Sequence, residues 1–335
     1  MESLVFALSA VSPLILLVAI GYLLKRIGFM NGSFAKMANK LVFRVFLPAT
    51  LFLNVYNIKN LAALDFSYIY YVLAVVVGMF LVAIPLVIAV ARKRERRGVL
   101  IQVVFRSNFA LVGLPLAGAL FGDEGQAVAT LLSAFVIPVF NVLAVISLSL
   151  FQKDGKKASI KGILLGIAKN PLILSIGLGL VCLGFRALFV RWGFAFRLTD
   201  VDPLFTVLNY LSDLSTPLVL LVLGAQFEFS AVKELRREVI FGTLMRTLVV
   251  PLIGIGVAYL CFQNRFTGAH FAAIVAVFAT PVAVSSVPMA QEMDGDVVLA
   301  GQLLVWTTLV SAITIFLASM LLYKAGIFMD LGGLL

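Results

Sequence analysis

Long apolar runs alternate with short polar connections along the whole chain, and no polar stretch is long enough to fold by itself. A helix crosses a bilayer core with about 20 apolar residues. Read with that length, the pattern predicts ten spans at roughly 4–24, 36–57, 66–91, 99–122, 126–151, 163–185, 203–229, 236–262, 268–291 and 297–323. The expected fold class is an all-α membrane protein. The fourth span cannot run as one unbroken helix. Pro115 has no N–H and its ring clashes with the carbonyl of Leu111, while Gly113 weakens the same turn. Just upstream, Arg106, Ser107 and Asn108 put a charge and two hydrogen-bonding side chains into the apolar run. Such groups persist at membrane depth only where protein buries them or where they line a cavity. A kink satisfied by neighbouring helices is one reading, and a binding site is the other.

A second copy of the pattern favours the site. Ala279 to Asp296 repeats the polar residues and the proline, with Pro288 in the place of Pro115. Pro13 matches Pro171, Pro48 matches Pro217, and Pro85 matches Pro251, so eight of the eleven prolines pair in order, span by span. Gly122-Asp123 then falls on Gly295-Asp296. Five spans per half is an odd number, so the second half enters the bilayer upside down. An inverted repeat with broken helices in matching positions marks secondary transporters, and it places the site near the midplane where those helices meet.

Composition removes the other broad classes. Of 335 residues, 62% are hydrophobic and 13% charged, with mean hydropathy +1.11, which excludes a soluble globular domain. The net charge of +10 does not point to nucleic acid, because Lys and Arg sit in short runs between apolar spans. One set of loops carries Lys25, Arg26, Lys36, Lys40, Arg92, Lys93, Arg94, Arg96, Arg97, Lys153, Lys156, Lys157, Lys161, Lys169, Lys233, Arg236 and Arg237. The other carries Lys59, Arg186, Arg191, Arg197, Arg265 and Lys324. This asymmetry of 17 against 6 makes the first set cytoplasmic and puts both termini outside. Cys182 and Cys261 lie far apart in apolar segments and form no metal or redox motif. The first apolar run lacks a basic leader region and a small-residue cleavage site, so it reads as a retained span.

The chemistry expected at the breaks is anion binding. An interrupted helix presents unpaired N–H groups and a positive dipole end where it resumes. Asn108 can donate and accept there, Ser107, Thr280, Ser285 and Ser286 supply hydroxyls, and Pro281 opens the ninth span. Pro115 and Pro288 mark the expected helix breaks. The hydroxyls could equally bond back to their own helices. Arg106 could bind an anion or snorkel to the headgroups. Asp213 could take a proton or cation, or stand at a span end. Arg246 is expected to pair or to snorkel; Glu292 and the lone His270 read as solvated. With one His and no aspartate pair within the spans, there is no catalytic set, no metal cluster and no cofactor motif.

Asn108-Phe-Ala-Leu-Val-Gly113-Leu-Pro115, followed by Ile137-Pro138-Val-Phe-Asn141, resembles the auxin efflux carrier family in its bacterial form. Leu47-Pro48-Ala-Thr-Leu-Phe52, Asn170-Pro171 and Thr280-Pro281 resemble it too, and the likeness covers essentially the whole chain. The resemblance implies ten helices in a 5+5 inverted repeat, with helices four and nine unwound where they cross. It implies a scaffold of residues 1–57 and 163–229 that dimerises, a transport domain of residues 66–151 and 236–323 that moves as an elevator, and a basic cytoplasmic linker at 152–162. It implies a bacterial cytoplasmic membrane and a small organic anion as substrate: auxin in plants, malonate or malate-like carboxylates in bacteria. Ser107, Asn108, Gly113, Thr280, Pro281, Ser285 and Ser286 become the substrate-binding set, with Arg106 and Asp213 as charge or coupling residues. Plant carriers have a proline where Ser107 stands, so auxin specificity does not carry over. Two alternatives share the architecture. A sodium-coupled symporter similar to the bile-acid transporters would want acidic or amide ligands at the crossing, where Asn108 and then Gln291 are the candidates. The other is a transport-inactive sensor relative.

Overall fold

In a computed structural model of the chain, residues 2–57, 66–152, 165, 168–194, 197–227 and 231–328 are described, and the regular elements among them are all helical. The basic linker lies, beyond Gln152, outside the described residues. The first half consists of α1 (Glu2–Arg26), α2 (Gly32–Leu41), α3 (Leu47–Tyr56), α4 (Phe66–Val90), α5 (Arg94–Phe105) and α6 (Leu114–Leu150). The second consists of α7 (Pro171–Arg191), α8 (Asp202–Gln226), α9 (Ala231–Glu234), α10 (Arg236–Leu244), α11 (Val250–Phe262), α12 (Gly268–Phe278), α13 (Ser286–Glu292) and α14 (Val297–Lys324). Among the described residues, seven helical segments are long and apolar enough to cross a bilayer: Gly32–Tyr56, Phe66–Val90, Phe109–Leu150, Pro171–Phe189, Asp202–Gln226, Arg236–Phe262 and Val297–Lys324.

Three of these segments contain a π turn, at Val42–Phe46, Phe109–Gly113 and Met245–Val249. Each ends two residues before a proline, at Pro48, Pro115 and Pro251. In each case the residue before the proline, Leu47, Leu114 or Val250, donates its N–H to the carbonyl five residues back. The wider turn absorbs the proline's missing donor and the bulk of its ring, and the helix continues. Pro115 therefore does not break its span. The interruption lies earlier, at Arg106 to Asn108, where Arg106 is extended (φ −97°, ψ 121°) and Asn108 leaves the helical region (φ −81°, ψ 52°). In the second half the interruption runs from Ala279 to Ser285, and Pro288 sits inside α13. The placement of the breaks at Pro115 and Pro288 is thus corrected.

The turn after each crossing uses a positive φ. Gly122 (φ 58°, ψ −154°) reverses the chain within α6, in a region open only to glycine. Its counterpart is Asp294 (φ 58°), not the Gly295 that the proline register suggests. Aspartate tolerates the left-handed region better than most residues.

Packing is tightest where small residues let backbones touch. A Cβ on Gly21 would meet the backbone of Leu221, and one on Gly224 would meet the carbonyl of Val18, so α1 and α8 cross in direct contact. At one end of the bundle, buried Arg96 ties α9, α10 and the start of α14 to its own helix α5. Its guanidinium donates to Glu238 at 2.9 Å, Glu234 at 2.7 Å and Asp296 at 3.0 Å. The hydrogen bond from Arg96 holds the Glu234 carboxyl below the usual carboxylate range. This link is complete at neutral pH and is lost only as the pH falls below that range.

Gly224→Ala should lower thermal stability in detergent by about 1–3 kcal/mol through overpacking. Gly256→Ala is the control, because a Cβ there meets nothing within 4 Å. Equal melting temperatures for the two variants would show that the α1–α8 contact is looser than described.

Candidate functional site

The two interruptions meet and satisfy each other. Ser107 and Val282 form an isolated antiparallel bridge, and the Asn108 N–H donates to the Pro281 carbonyl at 2.7 Å. The helix then resumes from Asn108, whose carbonyl accepts from Val112 at 3.0 Å and Gly113 at 3.2 Å. The N–H groups of Phe109, Ala110 and Leu111 have no carbonyl a turn behind them, as in any first turn.

Arg246 closes the other side of the crossing. It is fully buried, and it donates to the carbonyls of Thr280 at 2.8 Å, Val277 at 2.8 Å and Phe278 at 3.0 Å. These are the carbonyls that α12 leaves unpaired where it stops, and a cation suits the negative end of its dipole. Arg246 neither joins an ion pair among the described residues nor snorkels. It is a cap, a role that the sequence reading missed.

A cavity of about 500 Å³ opens beside the crossing. One wall comes from Leu47, Thr50, Leu51 and Asn54 of α3, and another from Ser212 to Val219 of α8. The third wall is Arg106 to Leu111, with Asn141 of α6 and Ala283 to Ser285 of the second interruption. Arg106 is 2% exposed and lies on this wall, so it does not snorkel. Its Nη1 donates to Gln102 Oε1 at 2.9 Å and contacts Met289 Sδ at 2.8 Å. Its Nη2 donates to Asn141 Oδ1 at 2.8 Å and Ser285 Oγ at 2.7 Å. All four partners are neutral, and Arg106 makes no ion pair with any described residue. Ser107 Oγ and Asn108 Nδ2 are buried without a hydrogen-bond partner among the described residues. Because Ser285 Oγ accepts from Arg106, its proton remains free to donate.

Of the expected site residues, the cavity gathers Arg106, Ser107, Asn108, Ser285 and Asp213. The others stand elsewhere. Thr280 is fully buried and bonds back to the Ala276 carbonyl at 2.8 Å. Pro281 offers its carbonyl to Asn108, and Ser286 is buried off the cavity wall. Gly113 is a close-approach position, since a Cβ there would meet the Ala276 carbonyl at 2.9 Å and the Phe109 ring. Gln291 accepts from Asn39 at 2.9 Å and donates to the Lys36 carbonyl at 3.0 Å, away from the crossing. Glu292 pairs with Arg44 at 3.6 Å. His270 caps α12 with Thr267 and packs edge-on against Tyr68 at 4.5 Å. Asn141, which orients Arg106, was legible as part of the Ile137-Pro138-Val-Phe-Asn141 motif but was not placed in the site.

Helices that stop inside an apolar bundle beside a cavity carrying a few polar side chains suit the passage of a solute. The architecture is that of a membrane transport protein. A family profile described as "Membrane transport protein" matches residues 6–319, and the chain belongs to that auxin efflux carrier-like family. An uncharacterized transporter of Methanothermobacter thermautotrophicus is 24% identical over 322 residues, covering 93% of this chain and 97% of its own length. An uncharacterized transporter of Methanocaldococcus jannaschii is 28% identical over 245 residues, covering 71% and 74%.

Replacing Arg246 with Met leaves three buried carbonyls unpaired and should destabilise the protein by about 3 kcal/mol or more, read as a loss of thermal stability in detergent. A melting temperature equal to that of the wild type would remove its capping role.

Proposed function

We propose that the protein is a secondary transporter that moves a small carboxylate by alternating access, with the substrate held at the crossing. The observation that carries this reading is the Arg106 guanidinium, buried on a cavity wall with only neutral partners among the described residues. A buried charge without a counter-charge is costly, and an anionic ligand supplies one. Asn108, Phe109, Ala110, Leu111 and Ser285 line the same cavity, and their first-turn N–H groups, amide and hydroxyl are the donors the crossing can offer an anion.

The ten spans then form a 5+5 inverted repeat in the cytoplasmic membrane, with both termini outside. Residues 1–57 and 163–229 form the scaffold and the dimer contact, and residues 66–151 and 236–323 form the moving part. The cavity supports this division. Its α3 and α8 walls belong to one set, and its Arg106–Leu111, Asn141 and Ser285 wall belongs to the other. Polar contacts between the sets lie away from the cavity wall. Asn39 donates to Gln291 at 2.9 Å, Gln291 donates to the Lys36 carbonyl at 3.0 Å, and Arg44 faces Glu292 at 3.6 Å. A cavity in one place and a latch away from it is what a single state of an alternating cycle requires.

The test is charge movement or labelled uptake in proteoliposomes with mono- and dicarboxylates, with and without sodium. Arg106→Gln and Asn108→Ala should each reduce carboxylate transport by about 10-fold or more while the protein stays folded. Wild-type transport by both variants would overturn the placement of the site. A strict sodium requirement would add ion coupling to the cycle.

A further inference from the structure

The cavity wall contains two ionisable side chains, Arg106 and Asp213. They come from opposite sides, Arg106 from the first interruption and Asp213 from α8. They do not pair with each other, and Asp213 makes no ion pair with any described residue. Arg106 is buried, whereas Asp213 is exposed, so the cavity has a cationic floor and an anionic rim. The rest of its polar lining is neutral, made of residues such as Thr50, Asn54 and Ser212. The Thr50 and Ser212 hydroxyls already bond to each other at 3.1 Å.

We propose that this polarity selects a carboxylate with a positively charged distal group, with Asp213 as the residue that sets the preference. The proposal rests on the carboxylate reading of Arg106 and deepens it. A ligand enters with its carboxylate toward Arg106 and its far end beside Asp213. A second carboxylate there meets a like charge in a space partly screened from water, and a cationic group meets an opposite one. A neutral tail leaves Asp213 facing an apolar group as the ligand displaces water from the cavity. The volume of about 500 Å³ is large enough for a small organic acid, and both Arg106 and Asp213 line it.

Three five-carbon probes differ only in the distal charge: 5-aminopentanoate, pentanoate and glutarate. Their affinities are measured on the purified full chain from the concentration dependence of ligand-induced thermal stabilisation. The wild type should prefer 5-aminopentanoate, then pentanoate, then glutarate. Asp213→Asn should weaken 5-aminopentanoate by about five- to tenfold, strengthen pentanoate slightly and strengthen glutarate more. Arg106→Gln should lose all three. If glutarate binds the wild type most tightly, or if Asp213→Asn shifts the three probes equally or not at all, the proposal falls. The carboxylate reading then stands by itself, provided that Arg106→Gln still abolishes binding. Binding of none of the probes by the wild type, or undiminished binding by Arg106→Gln, overturns both.

Discussion

Backbone polar groups in an apolar bundle must be paired, and two interrupted helices create more of them than any side chain can absorb. The chain meets this constraint by crossing the interruptions over each other. Ser107 pairs with Val282, and Asn108 pairs with Pro281. What the crossing leaves open at the end of α12, Arg246 closes. The packing around it follows. Residues Phe271 to Phe278 of α12 are buried on every side, so this 11-residue helix has no polar face and is held as the centre of the bundle. Gly113 is small because the Ala276 carbonyl passes beside it. With each unsatisfied group costing several kcal/mol in such surroundings, the crossing is the arrangement on which the other helices depend.

Two buried arginines lie on either side of that crossing and do opposite things. Arg246 faces carbonyls at a helix C-terminus, where the dipole amounts to about half a negative charge. Its charge is partly answered inside the protein. Arg106 faces amide oxygens, a hydroxyl and a thioether, which orient the guanidinium without neutralising it. The same side chain is therefore structural in one place and available for chemistry in the other. Partners decide this, not burial, since both are almost wholly enclosed.

The apolar periodicity made the helical class legible, because hydrocarbon tolerates few other solutions. The polar cluster from Arg106 to Asn108 pointed to the first interruption, and Pro281 pointed to the second. Pro115 and Pro288 misled, because a π turn or a helix start can take a proline without breaking the chain. Side-chain partners were not legible. Nothing local distinguishes Arg246 as a cap from a snorkelling arginine, since its carbonyls come from 31 to 34 residues away. Thr280 and Ser285 stand on the same interruption, yet one bonds back to its helix and the other turns to Arg106. Ser212 and Thr50 were hidden because each looks like an ordinary hydroxyl in an apolar span until α3 and α8 are brought together.

Contact strengths are arranged as the proposed division would need. Within the moving set, Arg96 is buried and answers Glu238 and Asp296. Removing one member of such a network leaves uncompensated charge, so the set holds together as a unit. Within the scaffold, α1 and α8 touch backbone to backbone through Gly21 and Gly224. The polar contacts between the sets are of a different order. Arg44 is 61% exposed in its pair with Glu292, and such pairs contribute about 0–1 kcal/mol. The Asn39–Gln291 bond is neutral, worth about 1 kcal/mol net. Rigid bodies joined by a weak latch can exchange states under the few kcal/mol that a bound ligand supplies. A latch as strong as the Arg96 cluster would hold the cavity in one state whatever occupied it.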